Sequence, residues 1–152
     1  MKSFIAVIGT FFTLGVTAQE KTLCSTDEKV VFSCQIPENR KIVSLCASQD
    51  SSATKGYLQY RFGKITKIEL QFPEPKQPAG KNFLYAKDKH LTMETISFSR
   101  DKFSYELVYG EDNRGRPYGT VIVNKSGELL AAFDCEEGAP FANTTPKQVG
   151  IR

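Results

Sequence analysis

Four cysteines, one histidine, a scatter of carboxylates and one arginine-bearing turn are the side chains of this 152-residue chain best equipped to do chemistry. Three of the cysteines fall in "CSTDEKVVFSCQIPENRKIVSLC" (24–46), and the fourth is Cys135. Zinc would ask for close pairs such as C-x2-C, and thiol exchange for C-x-x-C. The cysteines are instead separated by nine, eleven and 88 residues, and His90 is far from all of them in sequence. Such spacing suits two structural disulfides in an oxidising compartment. No metal site and no cofactor is expected.

Catalysis finds little support. A nucleophilic serine needs a base beside it, and His90, in "KDKHLT", sits among lysines in a polar stretch that reads as solvated surface. A glycosidase needs two carboxylates facing one cleft. Glu69, Glu94, Glu106, Glu111, Asp112 and Asp134 fall where alternation turns most of them outward. The glycines are scattered at turns, so no phosphate-binding loop forms. The expectation is a protein that is not an enzyme. One loop has the composition of a contact surface: "GEDNRGRPYGTVIVNK" carries Arg114, Arg116, Tyr118 and, across the next strand, Lys125. Arginine and tyrosine are over-represented at binding hot spots.

These side chains must be positioned by whatever remains after export. "MKSFIAVIGTFFTLGVTAQE" has Lys2, an uncharged and mostly apolar run, and small residues at Val16-Thr17-Ala18. That is the layout of a secretory signal peptide cleaved near Ala18, which predicts a periplasmic or secreted product with no membrane insertion after cleavage. Removing residues 1–18, with one lysine and no acid, leaves 134 residues and lowers the formal charge from +3 to +2. So mild an excess gives no reason to expect nucleic acid as a partner.

The remainder reads as strands and turns. "KVVFSCQI" (29–36) and "RKIVSLCA" (40–47) flank "PEN"; "YLQYRF" (57–62) and "ITKIELQF" (65–72) flank Gly63-Lys64. In the second pair Leu58, Tyr60, Phe62 and Ile68, Leu70, Phe72 alternate with polar residues, which puts one face in the core and the other in water. "PEPKQPAGKN" (73–82) reads as a proline loop, and "FLYAKDKHLT" (83–92) as either short helix or irregular strand. "METISFS" (93–99) and "KFSYELVY" (102–109) turn at Arg100-Asp101, and "TVIVN" (120–124) and "ELLAAFDC" (128–135) turn at Lys125-Ser126-Gly127. The aromatic residues, at period-two spacing, read as core. The last seventeen residues have no sustained period and read as a loosely ordered tail (136–152).

Four hairpins and about eight short antiparallel strands predict an all-β domain over 19–135, a small flattened barrel or sandwich tied by disulfides. Phe32 shares a parity with Cys34, as do Leu129, Ala131 and Phe133 with Cys135. Cys34–Cys135 is thus a candidate core-facing bridge between the first and last strands, leaving Cys24–Cys46. Four cysteines allow three connectivities.

With a signal peptide, Phe32-Ser33-Cys34 in the first strand and a last strand ending at Cys135, the layout over 30–135 resembles the small periplasmic inhibitors of C-type lysozyme. The resemblance implies an eight-stranded flattened barrel, a disulfide between first and last strands, and a serine and a lysine directed at an acidic catalytic cleft. The matching positions are Ser97 or Ser99 in "SFSRDKFSY" and Lys125 in "NKSGELL". The chain departs from that pattern in having Ser126 between Lys125 and Gly127, no tryptophan, two further cysteines and the proline loop. It also resembles exported bacterial proteins with "C…FSC…SLCAS…GYLQYRFG", which implies no function. The expected activity is binding to a protein partner, as an inhibitor of a cell-envelope hydrolase. Alternatives are an immunity protein against a periplasmic effector and a small-ligand carrier.

Overall fold

The computed structural model describes residues 21–88 and 90–152, so the segment 1–18, expected to be a signal peptide, lies outside the described residues. Among them, nine antiparallel strands form two sheets. The first is β1 (Lys29–Gln35), β2 (Ile42–Ala47), β3 (Leu58–Lys64) and β4 (Lys67–Gln77), in that spatial order. The second is β5 (Leu84–Lys87), β6 (Glu94–Arg100), β7 (Phe103–Glu111), β8 (Pro117–Lys125) and β9 (Glu128–Asp134). Each sheet is a meander, every strand lying antiparallel beside its neighbour in the chain. The all-β, disulfide-tied reading holds as a sandwich. The strand beyond the expected eight is β5, from the stretch that read as helix or strand; it pairs with β6 from Leu84↔Ser97 to Lys87↔Glu94.

The inward faces meet in a dry aromatic cluster. The Phe98 ring lies 4.7 Å from Tyr105, 4.8 Å from Tyr60, 5.0 Å from Phe72 and 5.4 Å from Phe83, between centroids. Those separations suit tilted and offset rings, each pair of which adds about 0.5–1.5 kcal/mol beyond the area it buries. Burial pushes the Tyr60 hydroxyl pKa up.

Several turns and faces differ from the sequence reading, each for a local reason. The second hairpin turns at Ile65-Thr66, two residues later than expected. Gly63 serves instead at a register shift between Phe62 and Gly63, with φ +147° and Lys67 O standing against the place a Cβ would take. That shift carries Ile68 out of the core, where it is exposed. The third hairpin turns at Asp101-Lys102 and the fourth at Ser126-Gly127. A second shift, between Val123 and Asn124, sends Leu129 outward, so the parity that placed it beside Phe133 fails. The proline stretch belongs to β4 as far as Gln77, with 73–76 bulged out between Tyr60↔Phe72 and Leu58↔Gln77. As an edge strand, β4 tolerates prolines that lack a ladder donor.

The segment 136–152 is not a loose tail. Ser33 and Phe141 exchange backbone bonds of 2.8 Å each, and Asn143 N donates to Val30 O at 2.9 Å, along the free edge of β1. The chain then buries Val149 and Ile151 in the core and accepts the Tyr85 N–H at Arg152 O, beside β5. Two well-placed apolar side chains suffice to dock it, too few to leave a period in the sequence.

Both expected disulfides are present. Cys34–Cys135 joins β1 to the end of β9, and Cys24–Cys46 pins the segment 21–28 over the outer side of the first sheet. There Leu23 N donates to Ser44 Oγ (2.9 Å), and Ser33 Oγ donates to Lys21 O (2.9 Å) and lies 2.8 Å from Ser44 Oγ. Arg61, expected in water, is buried by this cover, and Gln59, expected there too, is buried between Arg61 and the Pro73 carbonyl.

Candidate functional site

Beneath that cover lies the most deeply buried ion pair among the described residues. Arg61 grips Glu28 with two parallel bonds, Nη1 to Oε2 at 2.7 Å and Nη2 to Oε1 at 2.6 Å. It also donates to Leu23 O and Gln59 Oε1, while Tyr57 Oη and Ser25 donate to the same carboxylate. Burial alone would raise the Glu28 pKa, but these donors outweigh it and bring it down to about 2. Cys24, Glu28 and Cys46 stand close enough to suggest a metal triad. Their donor set does not fit one: the sulfurs are bonded to each other and the carboxylate is taken up by Arg61, Tyr57 and Ser25. The site is structural.

The arginine-bearing turn is a closed five-residue loop, 112–116, because β7 and β8 stay paired out to Glu111↔Pro117. Asp112 is its clasp. Its Oδ1 accepts the N–H groups of Arg114 (2.8 Å) and Arg116 (3.0 Å), and its Oδ2 accepts Arg116 Nε at 2.9 Å. Asp112 N donates to Arg116 O, and Gly115 N to Asp112 O, with Gly115 in the left-handed region at φ +71°. The Arg116 backbone N–H, its guanidinium and the Arg114 N–H together hold the Asp112 carboxyl below its usual range. Arg116 therefore has its charge occupied locally. Arg114 stands exposed at the tip with no acidic partner within salt-bridge distance among the described residues. Tyr118 sits on β8 opposite Gly110, whose missing side chain makes room for the ring.

Ser97 and Ser99 lie on the outward side of β6. The register Leu84↔Ser97↔Glu106↔Ile122↔Ala132 runs across all five strands of the second sheet, and Ser99↔Ser104↔Asn124 lies beside it. With Lys81, Asn82 and Leu84 the two serines border an open concavity of about 470 Å³. Lys125 closes β8 at this same end, two strands from Ser99, but it stands opposite Phe103 and so alternates to the other face of the sheet from the two serines. The arginine loop is at the other end, about 24 Å along β7 from the Ser104 row. The six residues singled out in the sequence are thus not brought into one site: Ser97 and Ser99 share the outer face at one end, Lys125 is at that end on the opposite face, and Arg114, Arg116 and Tyr118 are at the other end.

A carboxylate that drew no attention as part of a cluster is Glu94. Burial would raise its pKa, but Lys87 Nζ (2.8 Å), the Tyr109 hydroxyl (3.0 Å) and Tyr85 lower it further. A group held ionised in this way is poorly matched to general-acid work near neutral pH. His90 is exposed, as its lysine-rich surroundings suggested. Among the described residues no helix is long and apolar enough to cross a membrane. No protein-family model matches the chain, and no curated protein or solved structure does.

Proposed function

We propose that this protein is an exported binding protein that inhibits a cell-envelope hydrolase of the lysozyme type, with the 112–116 loop as its reaching element. The observation that carries the reading is Arg114 at the tip of a loop whose backbone is already fixed by Asp112. A preordered loop loses little conformational entropy on docking. A cation entering an acidic catalytic cleft gains complementarity and a faster association rate. Two disulfides fit an oxidising compartment, and the apolar N-terminal run supplies the export address. The rings packed around Phe98 occupy the space that a small-ligand carrier would keep for cargo.

The test is titration of purified mature protein into a C-type muramidase assay. Near-stoichiometric inhibition is expected, weakened about tenfold or more by Arg114→Ala and less by Arg116→Ala, as for a central charged contact. Inhibition that survives Arg114→Ala but is lost with Lys125→Ala would move the contact to the Ser99 end of the sheet. No inhibition of any muramidase would end the hydrolase reading.

A further inference from the structure

We infer that the free edge of β9 is a docking site for an extended segment of another protein, apolar at alternate positions and carrying a basic residue at one end. Cys135 N donates to Gly119 O, and from there the β8–β9 register runs in step through Val121↔Phe133 and Val123↔Ala131. Alternation in an antiparallel ladder then turns the N–H and C=O of Ala132 and Asp134 away from β8. Among the described residues no backbone group meets them, whereas the facing edge of β1 is taken up by Phe141 and Asn143. An unpaired edge of this kind is a ready template for one more strand. Two of its apolar side chains are open to solvent: Leu129 is 67% and Leu130 58% exposed.

The charge around this edge selects the occupant. At the turn end, Glu128 lies opposite Lys125, so the two charges offset each other. Beyond Asp134 the edge is closed by β1, where Gln35 O accepts the Glu136 N–H, and Asp134 borders a concavity of about 530 Å³ together with Glu136, Glu137 and Tyr118. Glu136 has Lys21 at 3.4 Å, and Arg116 on the far wall is tied to Asp112, so an excess of negative charge remains. A lysine or arginine entering there meets carboxylates and an aromatic side chain, the two environments that favour a cation in a cleft. The same charges disfavour a second copy of this chain. A second β9 would bring its own Glu128 and Asp134 carboxylates to an edge that already carries both, and like charges brought together destabilise a strand pair. This inference does not depend on the hydrolase reading, since its site is the strand edge and not the loop tip.

The test uses an end-capped hexapeptide of one arginine followed by alternating valine and threonine, with the arginine replaced by glutamate as its counterpart. Amide hydrogen exchange is followed on the mature protein. The arginine peptide is expected to slow exchange at Ala132 and Asp134 and to bind at least about threefold more tightly than the glutamate peptide, as for a partly exposed ion pair. Ala132→Pro removes the outward donor without touching the β8 ladder and should abolish protection at Asp134. Glu137→Lys, at an exposed side chain, should remove the preference for arginine while leaving the fold intact. No protection at saturating peptide, or equal binding of both peptides, would overturn the inference. So would light scattering that finds a dimer with both amides already protected, since a second copy would then own the edge.

Discussion

Arg61 on β3 and Ser97 on β6 occupy comparable places, each facing outward from a strand one in from the edge of its sheet. Arg61 is buried and Ser97 only partly so. The difference comes from outside the strands: the segment 21–28, pinned by Cys24–Cys46, covers the first sheet, and no such segment covers the second among the described residues. Covering a polar face has a condition, which is that its groups find partners. Ser33, Ser44, Gln59 and Arg61 all do, and among the described residues Gln35 Oε1 is the only buried side-chain polar atom without one. The uncovered face has water as its partner. Its serines and threonines are under no comparable constraint, so it can present a surface where the first sheet holds a network.

The largest expected effect compares the bridge common to both sheets with the one that serves the first alone. Cys34–Cys135 closes a separation of 101 residues and Cys24–Cys46 one of 22. Loop-closure entropy assigns them roughly 4.7 and roughly 3 kcal/mol respectively. Replacing both cysteines of the first bridge by serine should therefore lower the chemical denaturation midpoint more than the same change at the second. Equal losses, measured under oxidising conditions, would mean that the N-terminal cover contributes as much as the link between the sheets.

Much of this contrast was legible from sequence, and the part that was not has a definite cause. Period-two alternation located the hairpins, and the parity of Phe32 with Cys34 and of Phe133 with Cys135 led to the observed disulfide. Alternation reports which residues share a face, but not whether that face stays wet. Gln59 and Arg61 therefore read as solvated, because what covers them, the bulge of β4 at Pro73 and the segment 21–28, has no period of its own. Gly63 read as a turn residue, since glycine at a turn and glycine at a bulge look alike until the partner strand is known. In the site, the loop around Arg114 was visible from its composition. Its distance from Ser99 and Lys125 was not, because it depends on how far β7 and β8 stay paired.

Breaking the network on the covered sheet should cost nearly as much as the longer disulfide. Arg61→Ala would leave the Glu28 carboxylate buried with Tyr57 and Ser25 as its remaining donors, and losing one partner of such a pair typically costs about 3–5 kcal/mol. Arg61→Met combined with Glu28→Gln should recover a large part of that loss, since no buried charge then remains. A thermodynamic cycle from urea denaturation would check both values. An Arg61→Ala variant within 1 kcal/mol of the parent, about the size of an exposed pair, would mean the cover opens readily to water.

Acid should act on the same sheet first. The folded Glu28 pKa is about 2 against an ordinary 4.5, so its contribution is fully present above about pH 4.5 and is lost as pH falls toward 2. The linked stability is on the order of 3 kcal/mol. Melting temperature should thus fall between pH 5 and pH 2.5, and Glu28→Gln should flatten that part of the curve. An unchanged slope in the variant would assign the acid sensitivity to carboxylates elsewhere.

The smallest effect is the most direct comparison, because it makes one substitution on both faces. Ser44 accepts the Leu23 N–H and lies within hydrogen-bond distance of Ser33 and Thr22, beneath the N-terminal cover. Ser44→Ala would strand a buried backbone donor and should cost about 1–3 kcal/mol. Ser97 faces outward from β6 beside an open concavity, where water can replace its hydroxyl, so Ser97→Ala should change stability by less than about 0.5 kcal/mol. Denaturation midpoints of the two variants, measured side by side, test whether the faces differ in kind. If Ser97→Ala proved as costly as Ser44→Ala, the second sheet would have to be held by its own buried polar network. The freedom of that face to carry a binding surface would then be lost with it.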